Sequence, residues 1–224
     1  MRSIVAKYLV TTLVALVLWQ PAANAIAGDG AAPAQSHAFG KSLTEWMTLY
    51  WQWSIGGGPD HVGHVSFLPQ PAPGAPVSGD FSFDDPGVFV GELEVRLRPG
   101  TAFVLPVSAW VGESYLPELG FSDDSPLDPS VFTIAEVMLD GKSLIDSSNL
   151  GDYNYGPAYF DPPIAYEDPT GYGANAAIFV QGVGFVHGPL SKGTHTLTLV
   201  SAIQIPEYDL GVMFMNTWTI VVRK

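Results

Sequence analysis

The chain contains no cysteine. Disulfides, a lipid-modified N-terminal cysteine and thiolate metal sites are therefore excluded. Cations are scarce as well: 9 Lys and Arg stand against 22 Asp and Glu in 224 residues. A surface of that sign repels phosphate backbones, so no nucleic-acid partner is expected. There is no Gly-x-Ser-x-Gly, no His-Glu-x-x-His and no phosphate-binding loop, which leaves serine hydrolase, zincin and nucleotide-dependent chemistry without support. Low charge does not mean disorder here. Only 14% of residues are charged while 47% are hydrophobic, the balance of a folded domain.

Long apolar runs are missing too, apart from residues 8–19. That run is shorter than the roughly 20 residues a membrane span needs. Arg2 and Lys7 precede it, and Ala23-Asn24-Ala25 and Ala25-Ile26-Ala27 follow it as small-residue cleavage sites. The pattern is that of a secretory signal peptide over residues 1–27, with cleavage after Ala25 or Ala27. It implies a secreted or periplasmic protein with no stable membrane insertion once the signal is removed. The remaining residues carry 7 basic side chains, since Arg2 and Lys7 are the only cations of the signal. Residues 28–39 are small and read as a flexible leader, followed by one domain over 40–224.

What the chain has in excess is tryptophan in one place: Trp46, Trp51 and Trp53 fall within eight residues. Ser42 with Glu45 fits a capping box, and Leu43, Trp46, Tyr50 and Trp53 recur at helical spacing. Gly56, Gly57, Gly58 and Pro59 end the segment, so a helix is expected over 42–55. Its aromatic stripe is expected to cap one open end of the body, with Met47 and Trp51 off the stripe and exposed. The other possibility is that the tryptophans face a sugar ring or a partner protein.

After residue 80 the period becomes two. Leu93, Val95 and Leu97 alternate with Glu92, Glu94, Arg96 and Arg98. Further strands are expected over 102–111, 132–139, 143–145, 176–186, 194–203 and 212–222, with Asp140-Gly141 as a hairpin turn. Gly182 and Gly184 mark a bulge or close backbone approach. No helix separates successive strands. The fold class is therefore mainly β, an antiparallel, jelly-roll-like β-sandwich with one N-terminal aromatic helix packed on it. Residues 69–80, 112–130 and 151–173 are left as long connections.

Gly40-Lys41-Ser42, Glu45-Trp46 and Tyr50-Trp51-Gln52-Trp53 together resemble the opening signature of a family of uncharacterised bacterial exported proteins. The likeness extends through residues 63–68, 98–106, 137–142, 188–196 and 218–222, across nearly all of the chain after the signal. Members of that family carry cysteines near the second of these motifs, where this chain has none. The resemblance implies an exported, mostly β protein and carries over no activity and no catalytic residue.

Several clusters bear chemistry. The loop 151–173 is rich in tyrosine, whose rigid apolar face and polar tip suit adaptable recognition. Tyr153, Tyr155, Tyr159, Tyr166 and Tyr172, with Trp51 beside them, are the candidate ligand-binding residues. The alternative for this loop is a plain cover over the sandwich. Glu113, Glu118 and Asp123 are candidates for paired-carboxylate glycoside chemistry. His61 and His64 are candidate zinc ligands, although a Gly/Pro loop does not fix their geometry. Asp84, Asp85, Asp123, Asp124 and Asp128 could hold calcium but lack a binding-loop pattern, so no cofactor is expected beyond that. The functional expectation is a non-catalytic binding or interaction module outside the cytoplasm, its partner a glycan or a cell-envelope protein. Alternatives are a carbohydrate-active enzyme near Glu113 and a structural envelope protein.

Overall fold

The computed structural model describes residues 30–32, 34–72 and 74–224. The expected signal peptide lies outside them. In chain order the elements are β1 (Ala31–Ala32), α1 (Leu43–Gly56), β2 (His61–Val62), β3 (Val65–Phe67), β4 (Gly87–Leu97), β5 (Ala102–Tyr115), β6 (Ile134–Leu139), β7 (Lys142–Ile145), β8 (Asn154–Ala165), β9 (Ala174–His187), β10 (Gly193–Ile205) and β11 (Leu210–Val222), with short 3-10 turns between them. Two sheets form a sandwich. The first runs β1-β9-β5-β3-β2, with β8 also on β9; the second runs β4-β11-β10-β6-β7.

The expected alternation sets the faces. In β4, Val95 and Leu97 are buried while Glu92, Glu94 and Arg96 are exposed. In β11, Trp218, Ile220 and Val222 point inward, where they meet Phe103, Leu105, Val183 and Phe185 of the facing sheet. The sheets are mixed, however, not purely antiparallel. β4 runs parallel to β11 along its whole length, and β3 runs parallel to β5. Alternation encodes which face a side chain takes, not the direction of the neighbouring strand, so residue pattern alone could not show this.

A second apolar layer covers the outer face of the first sheet. It holds Leu43, Trp46, Met47 and Tyr50 of α1 against Val104, Phe160 and Val180. The helix begins as expected: the Ser42 Oγ accepts from the Glu45 N–H, and the Glu45 carboxylate accepts from the Ser42 N–H at 2.7 Å. It ends where Gly57, at φ 77°, donates to the Trp53 carbonyl. Two expectations are corrected here. The stripe lies flat on a sheet face and does not plug an end of the sandwich. Met47 is fully buried, because Gly184 leaves no side chain in its way. The Trp46 indole also donates to the Ala38 carbonyl at 2.7 Å.

That bond helps to hold the stretch expected to be a flexible leader. Ala31 and Ala32 pair with His187 and Val186, and Ala32 and Ala38 are buried, so these residues are part of the body. The other revision is β8, which occupies much of the expected loop 151–173. Pro157, Pro162 and Pro163 obscure it in the sequence, yet an edge strand tolerates prolines that a central strand would not. Beyond β3, strand β5 is paired only to β9. Its other edge is crossed by the segment after Leu68, whose N–H donates to Val104 and whose Gln70 Nε2 donates to the Pro106 carbonyl. This leaves a lateral slit between β5 and β4.

Candidate functional site

The slit forms an apolar cleft. It measures about 200 Å³ and is lined by Trp51, Phe89, Val107, Ser108, Phe214 and Asn216, among others. Its shape comes from local irregularities. Pro106 interrupts β5, and the register with β9 slips between Pro106 and Ser108, a bulge that turns the strand at the mouth of the slit. Opposite, β9 can pass this close only because residue 182 is glycine: a Cβ there would lie 2.0 Å from the Ser108 carbonyl oxygen. On the second sheet Phe89 and Phe214 are in-register neighbours and stack with centroids 5.5 Å apart.

Trp51 closes the helix side. It is half-buried, and its Nε1 donates to the Tyr155 hydroxyl at 3.0 Å. Burial pushes the Tyr155 phenol well above its ordinary pKa, so it stays neutral and accepts this bond. The wall opposite holds one unmet demand. Ser108 Oγ is buried and has no hydrogen-bond partner among the described residues. An unpartnered buried hydroxyl costs about 1–3 kcal/mol. Ser108 as a residue also lines the cleft.

The tyrosines of the expected contact surface divide three ways. Tyr153, which ends the short 3-10 turn before β8, is buried between the two sheets, and Tyr155 of β8 is buried in the layer beneath α1. They are therefore no contact surface. Tyr159 is 62% exposed, leaning on Phe179. Tyr166 and Tyr172 gather on Glu113. Its Oε1 accepts from Tyr166 at 2.5 Å, and its Oε2 accepts from Tyr172 at 3.0 Å. Alongside, Asp124 accepts from the Glu113 N–H and from the Tyr115 hydroxyl, both at 3.0 Å. Burial first, then the neighbouring Glu113 carboxylate, raises the pKa of Tyr166 and Tyr172. These phenols remain donors at any ordinary pH. The cluster ties the loops after β5 and β8 to the end of β5. Glu118 and Asp123 lie exposed outside it.

The histidines do not converge. His61 pairs with the adjacent Asp60 at 2.9 Å, His64 is exposed, and His187 is buried and stacked on Phe103. Among the described residues, no group of three or more His, Asp or Glu side chains is placed to hold a metal ion. Asp128 instead accepts from the Ser130 N–H. One arrangement imitates a hydrolase triad: Asp140, His195 and Ser191. His195 Nδ1 lies 2.7 Å from Asp140 and Nε2 lies 2.9 Å from the Ser191 carbonyl oxygen, which can only accept. Both ring nitrogens therefore donate, and neither is left to take a proton from Ser191 Oγ at 3.5 Å. The trio pins a turn.

Gln70, Phe89, Ser108, Phe214 and Asn216 were not among the residues that the sequence singles out. The one usable signal was Pro106 within an apolar strand, since such a proline marks an edge or a bulge. No known family, curated protein or solved structure matches the chain. No helix among the described residues is long and apolar enough to cross a membrane.

Proposed function

We propose that this is an exported, non-catalytic binding protein. Its cleft at Trp51 takes a small, largely apolar molecule, one ring or a short alkyl chain bearing a hydroxyl or similar polar group. The observation that carries the reading is the pairing of aromatic walls, Trp51, Phe89 and Phe214, with the polar residues Ser108 and Asn216 in the lining of one cleft. Size agrees: an apolar cavity of about 150 Å³ accepts benzene, and this one is about 200 Å³. Export rests on the signal pattern of residues 1–27 and on the resemblance of the tryptophan segment to exported proteins.

Glycoside chemistry at Glu113 is the weaker reading, because Tyr166 and Tyr172 already occupy both of its carboxylate oxygens. The test is titration with benzyl alcohol and hexanol, followed by saturation-transfer NMR. A dissociation constant of about 1 mM, near −4 kcal/mol, is what a fragment of this size reaches. Trp51→Ala is expected to abolish binding of both probes. Ser108→Ala is expected to weaken benzyl alcohol but leave toluene unchanged. Failure of every probe to bind, or binding that Trp51→Ala leaves intact, overturns the proposal.

A further inference from the structure

Charge is sorted along the strand axis. β4 turns directly into β5 through residues 98–101, and β9 leads through residues 188–192 into β10, so these strand ends define one pole of both sheets. Every lysine and arginine of the described chain lies at that pole. Arg96 lies near the end of β4 and Arg98 just after it, and Arg223 and Lys224 follow β11, whose Val222 is in register with Leu97. Lys192 precedes Gly193, which pairs with that same Val222. Lys142 opens the hairpin whose Asp140 N–H donates to Thr196 near the start of β10. Lys41 adjoins the turn at Gly63 and His64. At the opposite pole the loops 80–85, 113–124, 167–168 and 207–209 carry carboxylates and no cation.

A cavity opens within the basic pole. It is about 330 Å³ and is lined by His61, His64, Ser66, Arg96, Arg98 and Thr101 together with Asp60. Its charges are not all free: Arg96 holds Glu94 at 3.1 Å and His61 holds Asp60 at 2.9 Å. The Arg98 guanidinium, by contrast, has no ion pair or hydrogen bond among the described residues. A guanidinium with hydroxyls and imidazoles around it suits a tetrahedral oxyanion, which it can grip through two N–H groups at once. The acidic remainder of the molecule would repel such a ligand everywhere else and steer it here. Water's share of liquid volume is about 30 Å³, so 330 Å³ has room for an oxyanion and part of what bears it.

We infer that the pocket between the β2–β3 turn and the end of β4 binds a phosphate or sulfate monoester, with Arg98 as its principal contact. Such an ester could arrive free in solution or as a lipid head group. Three arms separate these: calorimetric titration with inorganic phosphate, titration with glycerol 3-phosphate, and cosedimentation with vesicles containing phosphatidic acid. Saturable binding to glycerol 3-phosphate assigns a soluble ester, and binding to the vesicles alone assigns a lipid. In either case Arg98→Gln should weaken binding by about tenfold or more, the worth of a hydrogen bond to a charged group. Lys192→Gln, at the same pole outside the pocket, should change it less than about threefold at physiological salt, where screening acts within about 8 Å. The inference is overturned by no binding in any arm, by binding of inorganic phosphate alone, by an unaffected Arg98→Gln, or by a Lys192→Gln as weak as Arg98→Gln. Both residues are exposed, so matched thermal midpoints will show that the variants are folded.

Discussion

Trp46 and Trp51 stand five residues apart on one helix, and the structure gives them opposite roles that a pair of substitutions can separate. Trp46 is 1% exposed, packs in the layer between α1 and the first sheet, and donates to the Ala38 carbonyl. Truncating a buried aromatic of this size to alanine costs about 3–5 kcal/mol. Leaving the Ala38 carbonyl without its donor adds about 1 kcal/mol. In a domain of this length each kcal/mol moves the thermal midpoint by about 2–4 °C, so Trp46→Ala should lower it by roughly 10–20 °C. Trp51 is half-buried at the edge of the cleft, and its loss removes one hydrogen bond to Tyr155. That is about 1–2 kcal/mol, or roughly 2–8 °C, accompanied by loss of ligand. Scanning calorimetry with and without benzyl alcohol reads both effects. Should Trp46→Ala melt within 3 °C or so of the parent, the helix is not docked as described. Should Trp51→Ala melt as low as Trp46→Ala, Trp51 is a core residue and the cleft is misassigned.

Two further perturbations probe what positions the cleft and pins the basic pole. In Gly182→Ala the new methyl meets the Ser108 carbonyl oxygen at 2.0 Å, a backbone atom, whereas in Gly184→Ala it meets the end of the Met47 side chain at 2.3 Å. The first should cost about 3 kcal/mol or more and the second no more than about 1 kcal/mol, since methionine can move aside; denaturant titration ranks them. The hydrogen bond to Asp140 holds His195 above its ordinary pKa. Burial pushes Asp140 up, but the bonds from His195 and the Thr196 N–H outweigh it and hold the carboxyl below its ordinary value. A raised histidine stabilises below its unfolded pKa and loses that contribution as pH rises through its folded one. A lowered aspartate stabilises above its unfolded pKa and loses it as pH falls. The pair therefore contributes most between roughly pH 4 and 6.5. Asp140→Asn should lower the midpoint more at pH 5.5 than at pH 8.5, and equal drops at both would refute the linkage.

The parts of the fold that were legible in the sequence are those fixed by local chemistry. Ser42 and Glu45 cap a helix wherever it docks, and Leu93, Val95 and Leu97 face inward whichever strand lies beside them. What was illegible depends on neighbours distant in sequence. β8 carries three prolines, and its register with β9 slips twice, so neither alternation nor propensity marks it as a strand. Tyr153 and Tyr155 consequently looked like loop residues free to meet a ligand, although the first is buried between the sheets and the second beneath α1. The cleft is assembled from α1, the crossing segment, β4, β5, β10 and β11. Apart from Trp51 and Pro106, none of its residues is unusual in its own segment.

The sorting of charge shows how one feature can be present in the sequence and still unreadable there. Arg98, Lys142 and Lys192 sit in or beside turns, and so do many of the acids, so along the chain the signs simply intermingle. The connections decide the outcome. Because β4 feeds β5 and β9 feeds β10 at the same end, the turns at Arg98 and Lys192 are brought side by side, while the turns at Asp84, Asp124 and Asp209 are carried to the other end. The parallel pairing of β4 with β11 then brings the C-terminal Arg223 beside Leu97, its N–H donating to that carbonyl at 3.2 Å. Had β11 run antiparallel to β4, its terminal cations would lie among the carboxylates, and the field at the Arg98 pocket would be weaker. The direction of one strand, which its hydropathy cannot encode, thus decides how strongly that pole attracts an anion.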